Sequence, residues 1–204
     1  MARDRSPIVK QSRREGVALH PKAHKVMIKK TGIPGQHAGG RQGKPSLYLT
    51  QMREKQKVRR MYGLMEKQFA NIVREAEKMP GMTGETLLSL LERRLDNVVY
   101  RAGFANSRRA SRQLVTHGHF TLNGKRVDIP SIRVKSGDEI VVRTRSQKSG
   151  YFAGLPEIMA DNAKDVGWLK ADGKKMSIKI TGLPARTDAD ADIKEQLIVE
   201  YYSR

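Results

Sequence analysis

RRLDNVVYRAGFANSRRASRQLVTHGHFTLNGKRVDIPSIRVKSGDEIVVR, residues 93–143, carries the reading of the fold. Leu87, Leu88, Leu91, Leu95, Val98 and Ala102 recur at three- and four-residue intervals, which predicts one amphipathic helix beginning near Glu85. Arg93, Arg94, Asn97 and Arg101 are left on its other faces. Gly103 suits the end of that helix, and Ser107 suits the N-cap of a second, because its hydroxyl can accept from an orphan backbone N–H. The second helix carries Arg108, Arg109, Arg112 and Gln113. Asn123-Gly124 then sits between two short alternating runs, the signature of a type I′ hairpin, and a third strand is expected from Glu139 to Arg143. A basic helix pair running into a hairpin reads as a module for gripping RNA, placed at residues 93–149.

Upstream, residues 47–79 predict two helices broken near Gly63, with Thr50 as a cap of the first. Leu64, Met65, Phe69, Ile72 and Val73 form the apolar face of the second, while Lys55, Lys57, Arg59 and Arg60 crowd two turns of the first. This helical body is assigned to residues 48–92. Residues 1–47 read as an extended basic arm, since Pro7, Pro21, Pro34 and Pro45 interrupt any long helix and glycines cluster from Gly32 to Gly43. One short helical turn is allowed at Ser12–Gly16. Gly43-Lys44 makes no phosphate loop, because Pro45 follows and Ala38 stands where the first glycine belongs. Downstream, a short helix is expected within 150–163 and a second hairpin about Asp172-Gly173, with Trp168, Met176, Ile178 and Ile180 alternating. Residues 191–204 fit a helix or a strand equally. The segment 150–204 is expected to pack back on the helical body, giving an α+β protein with a mostly helical body.

Charge sorts these regions. The chain has 40 Lys plus Arg against 21 Asp plus Glu, net +19 over 204 residues, which calls for a polyanion. Residues 1–80 hold net +13, residues 81–145 net +6 and residues 146–204 net zero. The neutral last part gains little from phosphate and is expected to meet protein. No cysteine is present, so neither a disulfide nor a thiolate metal site is available. His20 and His24 lack further ligands, and no metal or other cofactor is expected. No apolar run has the length of a membrane span or the form of a signal peptide, so a soluble, cytoplasmic protein is expected.

Six motifs, in order, resemble the family of the fourth protein of the small ribosomal subunit in its bacterial or organellar form. They are RREG at 13–16, PGQH at 34–37, REKQKVRRMYG at 53–63, RRLDNVVYRAGF at 93–104, SRRASRQLVTHGHFTLNGKRV at 107–127 and LIVEYYSR at 197–204. The match runs nearly end to end. It implies a ribosomal protein that binds the five-prime domain of small-subunit ribosomal RNA early in assembly, at a junction of several helices. It also implies contact with the fifth small-subunit protein, bearing on decoding accuracy, and places Arg41 and Lys44 near messenger RNA. Some members carry a zinc knuckle of cysteines near the N-terminus; here Val9 and Ser12 stand where two of them would be, so zinc is not expected.

A-form RNA offers phosphates, 2′-hydroxyls and a shallow groove, so a junction is read mainly by shape. The candidate contacts of the module are Arg93, Arg94, Asn97, Arg101, Ser107, Arg108, Arg109, Arg112, Gln113 and His117, with Asn123 and Lys125 at the hairpin tip. Arg53, Lys55, Lys57, Arg59 and Arg60 form a second surface, joined by Arg13, Arg14, Arg41 and Lys44 from the arm. His117 and His119 have an equal claim as complements to a helix C-terminus. No HExxH, GxSxG or P-loop motif is present, so no enzyme is expected. The alternative, an RNA-modifying enzyme or tRNA-binding protein that borrows the same module, lacks a segment for a catalytic domain. No membrane partner and no homo-oligomer are expected.

Overall fold

In the computed structural model, residues 4–30, 32–36, 43–162 and 166–203 are described. The chain divides into two compact units, residues 1–87 with 192–204, and residues 88–191.

In the first unit, Pro7 precedes a helix and Pro21 opens one, so neither interrupts a helix. Helix α1 spans Ile8–Glu15 and ends on Gly16 in the left-handed region at φ 71°. Helix α2, Pro21–Lys29, has its proline at the first turn, where a missing N–H is harmless. The arm therefore contains two helices where one short turn was expected. Ser12 fixes their junction: its buried hydroxyl donates to Ile8 O at 2.9 Å and accepts from Leu19 N at 3.2 Å. Helix α3, Leu47–Met61, is capped by Ser46, whose hydroxyl accepts from Leu49 N at 3.2 Å, and not by Thr50, which lies inside the helix. Gly63, at φ 65°, turns the chain into α4, Glu66–Lys78. Leu64, Phe69, Ile72 and Val73 are buried, whereas Met65 is exposed at the turn. Helix α5, Thr83–Glu92, begins in this unit, and the division falls between Leu87 and Leu88.

The apolar stripe from Leu87 to Ala102 is split between two helices, which corrects the single helix expected from its spacing. Helix α6 is Leu95–Arg101, and Arg94 before it is extended at φ −65°, ψ 135°. Leu95 N donates to Ile132 O at 2.8 Å and Val134 N to Arg93 O at 2.9 Å, so strand-like pairing with residues 132–134 breaks the helix. Helix α7, Arg108–Thr116, is capped by Ser107, whose hydroxyl accepts from Ala110 N at 3.2 Å. Then come β1 (Phe120–Leu122), β2 (Lys125–Val127) and β3 (Glu139–Val142), followed by short helices α8 (Thr144–Gln147), α9 (Gly150–Ala153) and α10 (Leu155–Asn162). Strands β4 (Leu169–Asp172) and β5 (Ser177–Ile180) complete an antiparallel sheet ordered β2-β1-β3-β5-β4. Ile140 lies opposite Ile178, and Phe120 opposite Val142. These residues join Leu95, Val98, Phe104, Val115, Phe152, Leu155 and Trp168 in one core. Phe120 and Phe152 meet edge to face, 6.1 Å between centroids.

Residues 150–191 thus belong to the second unit, because β5 pairs with β3 and its isoleucines complete the sheet's apolar face. Residues 192–204 return to the first unit, where α11, Glu195–Tyr202, lies along α3. Gln51 Nε2 donates to Glu200 at 2.7 Å, and Phe69 meets Tyr202 at 6.3 Å. The tail is a helix. No described helix is long and apolar enough to cross a membrane.

Candidate nucleic-acid interface

Three carboxylates organise the helix pair of the second unit. Glu92, fully buried, accepts Arg101 Nε at 2.9 Å and Nη2 at 2.7 Å, and also Asn97 Nδ2 at 2.7 Å. Asn97 Oδ1 takes Arg108 Nε at 2.9 Å. Asp190 bridges the same two arginines, Arg101 at 3.2 Å and Arg108 at 3.0 Å. The Arg108 guanidinium also covers the Tyr100 ring, 4.7 Å from its centroid. Asp96 takes Arg94 by two bonds, at 3.1 and 2.8 Å, and Arg112 at 2.8 Å. Its backbone carbonyl accepts the Ser111 hydroxyl at 2.6 Å. Arg93 donates to Val134 O at 2.9 Å.

These bonds give many of the expected contact residues partners inside the protein. Arg94, Asn97, Arg101 and Ser107 are buried, and Arg93, Arg108 and Arg112 are half-buried. Such side chains set the angle between α6 and α7. Arg109, Gln113 and His117 are the members of the expected set on these helices that stand exposed. At the hairpin tip, Asn123 (φ 49°) and Gly124 (φ 80°) give the left-handed pair a type I′ turn needs. Asn123 is exposed but committed: it donates to Asp138 at 2.8 Å and accepts from Glu139 N at 2.9 Å. Lys125 and Arg126 beside it are exposed.

The first unit follows the same logic. Lys55 is buried, donates to Glu66 at 2.7 Å and lies over the Tyr201 ring at 4.5 Å. Burial lifts the Glu66 carboxyl, but the bonds from Lys55 and Tyr202 outweigh it and hold the group below its ordinary value. Lys57 donates to Asp192 O at 2.5 Å and meets Glu54 at 3.0 Å, which fastens α3 to the segment before α11. Arg59 bonds Gln56 and Leu64 O. Arg53, at 3.2 Å, and Arg60 close on the buried carboxylate of Glu15 from α1. Burial raises the Glu15 carboxyl above its usual value, although Arg53 and Arg60 pull the other way. Arg13 donates to Gly32 O at 2.8 Å. Arg14 and Lys44 are exposed, and Arg41 lies outside the described residues.

The cations that face outward on α2 escaped the motif reading. Lys22, Lys25 and Lys29 are exposed and, spaced by three and four, share one side of the helix. The signal was available: Pro21 after His20 is a helix start, and the spacing does the rest.

A helix and hairpin frame, locked from within by Glu92, Asp96 and Asp190 and carrying cations outward, defines a class: a polyanion-binding protein built for shape. Residues 3–92 match the family model "Ribosomal protein S4/S9 N-terminal domain" and residues 93–140 the "S4 domain". The chain is 51% identical to small ribosomal subunit protein uS4 of Clostridioides difficile (strain 630) and 50% identical to uS4 of Desulforamulus reducens, each over the whole of both chains. It is 46% identical to uS4 of Chlorobium limicola, again over both full lengths. The chain belongs to the uS4 family of small ribosomal subunit proteins, a family of structural rather than enzymatic proteins.

Proposed function

We propose that this chain is a primary binder of the five-prime domain of small-subunit ribosomal RNA, acting in the cytoplasm or an organelle to nucleate assembly of the subunit. The observation that carries the reading is the division of labour among its basic residues. Buried and half-buried arginines meet Glu92, Asp96 and Asp190 and fix the helix pair, while other cations are exposed where an RNA phosphate can reach them.

In this reading the contacts of the second unit are Arg109, Gln113, His117 and Lys125, and those of the first are Arg14, Lys22, Lys25, Lys29 and Lys44. Arg93, Arg94, Asn97, Arg101, Arg108 and Arg112 position them, as Arg53, Lys55, Lys57, Arg59 and Arg60 position α3 against its neighbours. Contact with the fifth small-subunit protein, an effect on decoding accuracy and the approach of Arg41 and Lys44 to messenger RNA belong to the same proposal. They are supported by family membership.

Hydroxyl-radical footprinting of naked small-subunit RNA with the pure chain tests the central claim. Protection confined to the five-prime domain is expected. Protection elsewhere, or equal affinity for transfer RNA, overturns it.

A further inference from the structure

At α6 and α7 four arginines meet carboxylates: Arg94 and Arg112 on Asp96, Arg101 on Glu92, Arg108 on Asp190. Around Gly118, at the end of α7, they do not. A Cβ built on Gly118 would stand 2.8 Å from both Nε and Nη2 of Arg126, so that guanidinium rests on bare backbone. Arg143 Nη1 donates to Gly118 O at 3.2 Å. His117 and His119 flank the glycine with ring centroids 5.9 Å apart. Among the described residues no carboxylate pairs with any of these four.

Arg126 and His117 are exposed, so the cluster opens to solvent. His119 registers the crowding: burial first, then His117 and Arg143, hold its imidazole below the ordinary value. Its Nδ1 lies 3.0 Å from Ser146 Oγ, and the ring packs against Phe152 at 5.5 Å. Arg143 also lines an open groove of about 310 Å³ with Thr121, Thr144, Arg145 and Gln147. Two guanidiniums and a histidine about one glycine, none of them paired to a carboxylate among the described residues, have the chemistry to receive an anion. Gly118 is required for this cluster twice over: φ 70° suits glycine, and any side chain would displace Arg126.

We propose that Arg126, Arg143 and His117 clamp one phosphodiester of a bound RNA strand over Gly118, and that the groove past Arg143 and Arg145 receives the next stretch of that backbone. The assignment rests on the RNA-binding reading above and names a contact within it. Among the described residues the Arg126 side chain makes no hydrogen bond or ion pair, so Arg126→Gln, which keeps the β2 backbone pairing, leaves thermal unfolding of the chain unchanged.

The affinity of the full chain for five-prime-domain RNA, measured from 50 to 200 mM KCl, tests the clamp. One phosphate contact contributes roughly 0.7–0.9 to the log–log salt slope, so wild type weakens about threefold more than Arg126→Gln across that range. Arg126→Lys, which keeps the charge, retains the wild-type slope. An unchanged slope in Arg126→Gln, with wild type still binding the RNA, overturns the clamp and leaves the broader reading intact. A second arm needs no RNA: titration with inorganic phosphate shifts the ring resonances of His117 and His119 ahead of those of His20 and His24, and Arg126→Gln abolishes the preference. Equal shifts at all four rings overturn the site. Selective shifts in a chain that binds no five-prime-domain RNA keep the anion site and overturn the ribosomal RNA reading instead.

Discussion

Replacing Glu92 by alanine removes the carboxylate that receives Arg101 by two bonds and Asn97 by a third. Arg101 is only 3% exposed and Glu92 is at 0%, so water cannot replace the lost partner without opening the helix pair. Asp190 still reaches Arg101 through Nη1, but the two bonds from Nε and Nη2 to Glu92 are lost. Breaking one side of a buried pair destabilises by about 3–5 kcal/mol, a large share of the roughly 5–15 kcal/mol that holds a typical domain together. Trp168 is the sole tryptophan, is buried and belongs to the core of this unit, so its fluorescence in a urea titration reports the unit directly. Glu92→Ala is expected to lower the free energy of unfolding by that amount. The double variant Glu92→Leu/Arg101→Met removes both charges together and should return to within about 1 kcal/mol of wild type or exceed it. A loss below about 1 kcal/mol in Glu92→Ala, or a double variant no better than the single, refutes the view that Glu92 is the internal lock.

Because the folded-state value of His119 lies below its unfolded value of 6.5, the unfolded chain takes up the proton first as pH falls. Stability attributable to His119 is therefore present above pH 6.5 and lost as pH falls through the folded value; Trp168-monitored unfolding should show a smaller decline in His119→Gln. Asn123→Ala forces a side chain without its own bonds into φ 49° and leaves Glu139 N unsatisfied by it, an expected loss of about 1–2 kcal/mol in the same titration. Changing Lys22, Lys25 and Lys29 together to glutamine should leave the unfolding midpoint in place and lower the salt slope of RNA binding by roughly 2, read by filter binding.

Several local signals are legible within a single turn of chain, although Ser46 takes the cap that Thr50 suggests. Ser107 caps, Asn123-Gly124 turns and Gly63 breaks as their chemistry dictates. The prolines misled because the same residue that ends a helix also begins one: Pro21 has that place in α2. Periodicity carried the Leu87–Ala102 stripe straight through a break made by residues 130–134, some forty positions away. The arginines were harder still. Arg101 and Arg108 find Asp190 at separations of 89 and 82 residues, and Lys57 finds Asp192 O at 135. A basic helix face says nothing of an acid that distant, so the internal partners of these cations are not legible in the local sequence.

The first unit is assembled from two separated stretches of chain, with α11 lying against α3. During synthesis residues 88–191 emerge complete before α11 appears, so the second unit has all of its own sequence while α3 still lacks its companion. Lys57 and Gln51 wait for Asp192 and Glu200. The order of closure is thus the reverse of the order of translation: the unit that starts first finishes last. A nascent chain interrupted before residue 192 holds the whole sequence of the second unit while α3 of the first still lacks α11.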